Sequence, residues 1–278
     1  MIKLLERIYH IFNNMYIFNK SKNKINSKMG LSFNEISRLK DYPRMRRGEA
    51  IFFNQNFIFS NSGSFLHSVE EIFKDEVYKF KTDSKRPYII DCGANIGVSI
   101  YYFVRNYPNC RVLAFEPDHE IFKILVDNTK QIGDKSSIIL KEEAVWIQDT
   151  KLEFFSEGGL AGSLVTDFAK NDNIIKINAI NFKNYLNEKI DFLKIDIEGA
   201  ENELIFDIKD NLHYVENLFL EYHGIKNQKQ NLGDILNLLT DAGFQYYIRV
   251  AGETLSYPFC KEEHFAFNQQ LNIFCYRK

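Results

Sequence analysis

Short apolar runs alternate with stretches of helical spacing from Pro87 to the end of the chain. This alternation is typical of successive strand–helix units, so it predicts a mostly parallel sheet with helices on both faces. The predicted fold class is therefore α/β, with a Rossmann-like sheet. We expect its seven strands at Tyr88–Ile90, Arg111–Phe115, Ser137–Leu140, Asp191–Ile195, Asn217–Glu221, Gln245–Val250 and Leu271–Cys275.

Two further apolar segments interrupt this alternation between the third and fourth strands. Lys151–Phe155 and Ile174–Ile180 predict an inserted β excursion. A loop that contains Gly158, Gly159 and Gly162 lies between them.

The part of the chain before the alternation predicts two smaller regions. In residues 1–30 we expect an N-terminal helix and a polar linker. Apolar and charged residues are interspersed over 1–18, which excludes a membrane span and is compatible with an amphipathic helix in peripheral contact with a membrane. Residues 31–84 predict a small α/β extension, and residues 85–278 the Rossmann-like domain.

The extension is predicted to contain a hairpin followed by a helix. Ala50–Phe53 and Phe57–Phe59 read as strands, with the turn at Asn54-Gln55-Asn56. Apolar residues then recur at helical spacing from Phe65 to Phe80, and Ser62 or Ser64 is the expected N-cap.

The composition is that of a soluble globular protein, with 45% hydrophobic and 26% charged residues. The formal net charge of −2 argues against a nucleic-acid partner, because binding to phosphate backbones requires a basic surface. We therefore expect a cytoplasmic protein, with membrane contact limited to residues 1–18. The four cysteines have no metal-ligand spacing and predict reduced, buried thiols at Cys92, Cys110, Cys260 and Cys275.

Three strand ends predict a binding site for an adenosine-containing cofactor. The first strand leads into a glycine-containing turn, where close backbone approach and a helix N-terminus suit an anionic group. The second ends in Glu116-Pro117, where a ribose diol would lie, and Ala144-Val145 after the third would line an adenine pocket. The predicted cofactor-binding residues of the turn are Asp91, Gly93, Ala94, Asn95 and Gly97.

The turn favours S-adenosylmethionine (SAM) over a nicotinamide dinucleotide. The dinucleotide fingerprint requires a middle glycine that makes room for pyrophosphate, and this turn has Ala94 and Asn95 after Gly93. Asp91 would repel a pyrophosphate but could attract the ammonium group of methionine. A nicotinamide-dependent oxidoreductase is therefore the weaker alternative.

These motifs together resemble the FkbM methyltransferase family. The resemblance rests on Ile89–Gly97, Ala114–Pro117, Ala144-Val145 and, above all, Asp191–Glu201, and it extends from about Pro87 to about Gly224. It implies a class I SAM-methyltransferase fold. It also implies O-methylation of a hydroxyl on a small molecule, such as a sugar or secondary metabolite, or on a glycan.

Ionisable residues at the fourth and fifth strand ends are the candidates for catalysis. His223 is the expected general base, because its ordinary pKa suits removal of a hydroxyl proton near neutral pH. Asp196 and Glu198 would orient the acceptor or, in the case of Asp196, the cofactor.

Two alternatives remain open at this stage. No metal site is assigned, but a divalent ion could be held by Asp196, Glu198 and either Glu221 or His223. The acidic block with Lys194 could instead be a structural ion-pair network, in which case the chain would be a SAM-binding module without catalysis. His264 is a weaker candidate for the site.

Overall fold

A computed structural model describes most of the chain as two compact units, Met1–Val77 and Tyr78–Lys278. The described residues are 26, 28–130, 132, 136–155, 174–226, 228–252, 257–260 and 267–277. Within them, no helix has both the length and the apolar character needed to cross a membrane. The predicted N-terminal helix over 1–18, the loop with Gly158, Gly159 and Gly162, and His264 lie outside the described residues.

The first unit contains a helix, a hairpin and a second helix. Helix α1 spans Phe33–Lys40. Strands β1 (Gly48–Phe52) and β2 (Gln55–Phe59) are antiparallel, with Phe52 opposite Gln55. Helix α2 spans Ser62–Val69 and continues as a π-helical turn over Glu70–Lys74. The core of this unit is aromatic, and its fully buried members include Phe52, Phe57, Phe59 and Phe65.

Three local predictions for this unit were wrong. The hairpin turn is Phe53-Asn54 rather than three residues from Asn54, and both residues have positive φ, at 47° and 65°. A two-residue turn of this kind matches the twist of the strands. The cap of α2 is Asn61, whose side chain accepts the backbone N–H groups of Gly63 and Ser64. The π-helical turn ends at Lys74, before Phe80.

The second unit contains the predicted seven-stranded sheet, in the order β11-β12-β10-β9-β3-β4-β5. Strands β3, β4, β5, β9 and β10 are mutually parallel, whereas β12 is antiparallel to both β10 and β11. All seven expected strands are confirmed, with ends that differ by a few residues. Their bounds are β3 Tyr88–Cys92, β4 Arg111–Phe115, β5 Ser137–Lys141, β9 Phe192–Ile195, β10 Asn217–Ile225, β11 Gln245–Ala251 and β12 Phe267–Tyr276.

A separate three-stranded sheet forms the predicted β excursion, in the order β6-β8-β7. Strand β6 is Ala144–Trp146, β7 is Thr150–Phe155 and β8 is Ile174–Asn181. Strands β7 and β8 are antiparallel, as expected of an out-and-back insertion.

The direction in which successive strands are added to the sheet reverses at β3. Strands β4 and β5 continue on one side, and β9 and β10 on the other. In open α/β sheets such a switch point leaves a crevice at the carboxyl ends of the strands. The α-helices in the described part of this unit are α3 Val98–Asn106, α4 His119–Thr129, α5 Glu201–Asp207 and α6 Leu232–Asp241.

The cysteine prediction holds for three of the four thiols. Cys92, Cys110 and Cys275 are free and buried, but Cys260 is exposed. Cys260 lies in a short 3₁₀ turn rather than in a strand or helix of the core, and its burial could not be inferred from residue type alone.

Candidate active site

The glycine turn connects β3 to α3 at the edge of the sheet where the parallel strands end. Gly93 has a φ of +86°, and its N–H donates to the carbonyl of Phe115 at 3.1 Å. A Cβ at Gly93 would overlap the carbonyl oxygen of Asp196. Glycine is therefore required here by backbone conformation and by packing on the neighbouring strand end. Gly97, with a φ of +92°, is the N-cap of α3.

Glu116 ties this turn to the end of β4. One carboxylate oxygen accepts the backbone N–H of Asn95 at 2.9 Å, and the other accepts that of Asp118 at 3.0 Å. Burial raises the pKa of Glu116 to about 7, although these two hydrogen bonds and Lys194 act in the opposite direction. Each oxygen keeps a lone pair, so the predicted hydrogen bond to the cofactor ribose fits the donor and acceptor chemistry of the site.

The other predicted cofactor residues are placed around the turn and on the second sheet. Ala94 is buried, and its N–H also donates to the carbonyl of Phe115. Ala144 and Val145 are buried on β6, and Val145 belongs to the same core cluster as Phe115. Pro117, directly after Glu116, is partly exposed. Their contacts with SAM stay predictions.

Lys194 lies beneath the turn and is 3% exposed. Its ammonium nitrogen donates to the carbonyl of Gly93 at 2.9 Å and lies 3.3 Å from Asp91 Oδ1 and 3.2 Å from Asp196 Oδ2. Burial alone would lower the pKa of Lys194, but attraction to Asp196 and Asp91 outweighs it and raises the pKa well above its usual value. The lysine is therefore a permanent buried cation.

Asp91 is the buried partner of this cation. Its carboxylate has no exposed surface, and it accepts a hydrogen bond from the hydroxyl of Ser99. The ammonium that we expected Asp91 to attract was that of methionine, whereas the ammonium beside it in the structure is that of Lys194. A cofactor role for Asp91 stays a prediction, while its role in positioning Lys194 is visible.

His223 lies on the neighbouring strand β10 and is fully buried. Its Nδ1 lies 3.0 Å from Glu201 Oε1, and Glu201 also accepts the backbone N–H groups of His223 and Gly199 at 2.8 Å. Nε2 points the other way, 3.4 Å from Glu198 Oε2 and 3.6 Å from Glu221 Oε1. Within the part of the chain that the structure describes, Nε2 has no hydrogen-bond partner.

The charged groups around His223 argue against its expected role as a general base. Burial alone would lower its pKa, but attraction to Glu201, Glu198 and Glu221 raises it to about 10. An imidazole with that pKa holds its proton at neutral pH, which argues against its accepting one from a hydroxyl. Asp196 and Glu198 are part-exposed carboxylates nearby.

Asp196 and His223 lie close together at this edge of the sheet, while their convergence with Glu198 on an acceptor hydroxyl stays a prediction. One donor atom each from Asp196, Glu221 and His223 lie within 4.8 Å of one another. The side chains of Asp196, Glu198 and Glu221 are 25%, 23% and 17% exposed, so they form an accessible rim around the buried imidazole.

Glu201 ends the Asp191–Glu201 motif, but no role was predicted for it from the sequence. The missed signal is its place at the start of α5, two residues after Gly199. A carboxylate there accepts the unpaired N–H groups of the helix start, as Glu201 does with the N–H of Gly199. Glu198 has a φ of +53° and Gly199 of +104°, so the backbone is sharply turned between Asp196 and the helix.

Comparisons with known proteins identify the family of the chain. A family described as "Methyltransferase FkbM domain" matches residues 91–246, more than half of the chain, including the glycine turn, Glu116, Lys194 and His223. Methyltransferase sdnD of Sordaria araneosa is 27% identical over 214 residues, which are 63% of this chain and 80% of that protein. Methyltransferase 1 of Beauveria bassiana is 22% identical over 206 residues, 65% of this chain and 80% of that protein.

Similar solved structures include two methyltransferases. The FkbM methyltransferase from Methylobacillus flagellatus KT aligns with a TM-score of 0.47 and 16% identity over 71% of this chain, but over only 45% of its own chain. M. jannaschii TYW2 in complex with AdoMet aligns with a TM-score of 0.45 and 10% identity over 85% of this chain and 89% of its own. The family match and the seven-stranded sheet together show that the chain belongs to the FkbM methyltransferase family and is a SAM-dependent methyltransferase with the class I fold.

Proposed function

We propose that the protein methylates a hydroxyl oxygen on a sugar, a glycan or a secondary metabolite. The observation that carries this proposal is the rim of part-exposed carboxylates at Asp196, Glu198 and Glu221, beside the predicted cofactor turn. The carbonyl of Asp196 packs on Gly93 of that turn, while its side chain belongs to the rim. Asp196 therefore connects the two halves of the proposed site.

An alcohol acceptor requires this arrangement for a chemical reason. Transfer from the sulfonium is an in-line displacement, so the acceptor oxygen must be aligned with the methyl group and must lose its proton. Carboxylates accept hydrogen bonds from hydroxyl groups and can take that proton. Asp196 and Glu198 are the proposed bases, and Glu116 is the proposed ligand of the cofactor ribose.

Family membership sets aside the nicotinamide-dependent oxidoreductase as an alternative. The glycan or small-molecule acceptor, the lack of a nucleic-acid partner, the membrane contact through residues 1–18 and the cytoplasmic location are parts of the proposal. The net charge of −2 supports the exclusion of nucleic acid.

The test is transfer of a deuterated methyl group from SAM to a panel of sugars, glycans, polyhydroxylated secondary metabolites, amines, thiols and RNA. Mass spectrometry finds the labelled product and NMR identifies the methylated atom. We expect label on a hydroxyl oxygen only. Label on nitrogen, sulfur or carbon would overturn the proposal, as would SAM binding without transfer to any acceptor.

A further inference from the structure

We propose that Asp196, Glu221 and His223 bind a divalent metal ion where β9 ends beside β10, with Glu198 at the edge of the site. The positions of these side chains support metal binding independently of the proposed function. What the ion does in catalysis rests on the proposed function, transfer to a hydroxyl.

The donor atoms are close enough for one ion. Those of Asp196, Glu221 and His223 lie within 4.8 Å of one another. Ligands bound to one ion at about 2.1–2.3 Å lie roughly 3 Å apart in adjacent positions and roughly 4.5 Å apart in opposite ones. Small side-chain movements would therefore bring all three into coordination.

A cluster of acidic groups alone would not indicate a metal, but the buried imidazole among them does. His223 is fully buried, and its Nε2 is directed at the acidic group without a hydrogen-bond partner in the described part of the chain. A buried polar nitrogen without a hydrogen bond is costly. An ion at this position would satisfy it.

The remaining ring nitrogen is held as it is in established metal sites. Glu201 Oε1 lies 3.0 Å from Nδ1, and Glu201 is itself fixed by backbone N–H groups of Gly199 and His223. A bound metal ion would replace the proton on Nε2, and a carboxylate that accepts the Nδ1–H bond then sets the tautomer and presents the Nε2 lone pair to the metal. Glu201 is therefore a positioning residue for His223.

The donor set indicates which ions fit. Two or three carboxylates favour hard ions such as Mg²⁺ and Mn²⁺, while an imidazole nitrogen favours transition metals. Mn²⁺ accepts both ligand types and keeps open positions for a substrate oxygen. We therefore take Mn²⁺ as the probe.

The ion would activate the acceptor by binding its hydroxyl oxygen and lowering the pKa of the hydroxyl. The proton passes to the carboxylate of Glu198 and then to water. The oxygen lone pair forms the new O–CH₃ bond as the S–CH₃ bond breaks. That electron pair stays on sulfur, and the products are the methyl ether and S-adenosylhomocysteine.

The test is a titration of the EDTA-treated full chain with Mn²⁺, in which electron paramagnetic resonance follows the free ion. We expect the wild-type chain to bind a single Mn²⁺. Glu221→Gln keeps the side-chain size and should lower the Mn²⁺ affinity at least about tenfold. Glu203→Gln removes an exposed carboxylate from α5 and should leave the affinity unchanged.

The wild-type titration decides the proposal even if a variant fails to fold. Free Mn²⁺ that is undiminished up to about 1 mM would overturn the site, since binding weaker than that has little energy. Equal affinity in a folded Glu221→Gln chain would also overturn it, and His223 would then pair with its carboxylates directly. If Mn²⁺ binds but no hydroxyl is methylated, the proposed function fails alone. If metal-free protein binds no Mn²⁺ yet methylates hydroxyls, the metal site fails alone.

Discussion

Two ionic groups at the same edge of the sheet each combine one buried basic side chain with carboxylates, but they differ in exposure. We call Asp91, Lys194 and Asp196 the Lys194 centre, and Glu198, Glu201, Glu221 and His223 the His223 centre. In the first, the cation has two carboxylates within 3.3 Å and a carbonyl at 2.9 Å. In the second, one side of the imidazole is held and the other faces a part-exposed rim.

This difference separates a structural role from a chemical one. Asp91 is fully buried and Lys194 is 3% exposed, so a ligand has almost no access to either. Removing one partner of a buried ion pair leaves an uncompensated charge, which is strongly destabilising. Glu198 and Glu221 retain exposed surface and can meet an acceptor. The structural alternative for the acidic block therefore fits the Lys194 centre, and the proposed catalytic role fits the rim.

The largest expected effect is that of Lys194→Met on stability. The variant leaves the carboxylate of Asp91 buried without its cation, so we expect the free energy of unfolding to fall by about 3–5 kcal/mol. Urea denaturation measures it. Lys183→Met is the matched control, since Lys183 is 41% exposed in its ion pair with Asp207 and its loss should cost about 0–1 kcal/mol. Equal losses in the two variants would show that the buried ion pairs of Lys194 stabilise the fold no more than an exposed ion pair does.

The substitution Asp196→Asn should have the next largest effect, because Asp196 contacts Lys194 and also belongs to the acidic rim. We expect the rate of methyl transfer to fall by about 10²–10³-fold, since a base or an orienting carboxylate is lost. Steady-state kinetics with SAM measure it, and Glu203→Gln is the control.

The stability of the Asp196→Asn chain sharpens the comparison. Lys194 keeps Asp91 as its partner, so this loss should be smaller than that of Lys194→Met. A normal rate in a destabilised Asp196→Asn chain would assign this residue to the Lys194 centre alone.

The sheet could be predicted from the sequence because its signals are local. Each strand is a short apolar run, and the glycine turn and Glu116 come directly after strand ends. The hairpin turn could not be predicted as well, because Phe53 adopts a positive φ that its residue type disfavours. Its neighbour Asn54 tolerates that region better, and this drew the predicted turn toward the asparagines.

The charge state of His223 could not be predicted from its position in the sequence. It depends on Glu198 from the turn after β9, Glu201 from α5 and Glu221 from β10, which only the tertiary fold brings together. Residue type suggested an ordinary pKa near neutrality, and the three carboxylates raise it instead. The convergence on one edge was predictable from the parallel strands, but the balance of charge was not.

Glu116 is a buried carboxylate outside both centres, and it has no ion-pair partner among the described residues. Backbone N–H groups hold it instead. Glu116→Gln should weaken SAM binding by about 1–3 kcal/mol, since the amide replaces one acceptor oxygen with a donor. Isothermal titration measures the dissociation constant, and Glu143→Gln is a control in a part-exposed carboxylate. An unchanged constant would remove Glu116 from the cofactor site.

The pH dependence of SAM binding should show the smallest effect, and it follows from the same carboxylate. Burial raises the pKa of Glu116 to about 7, although the backbone N–H bonds from Asp118 and Asn95 and the charge of Lys194 lower it. Only the ionised form offers both oxygens to the ribose hydroxyls, so binding SAM should favour loss of the proton. The affinity should therefore be full above about pH 7 and fall below it, by at most about tenfold per pH unit. Glu116→Gln cannot titrate at this position, so its profile should be flatter than that of the wild type over the same range. Parallel profiles for the two proteins would show that another group, or SAM itself, controls the pH dependence, and the raised pKa of Glu116 would then have no part in cofactor binding.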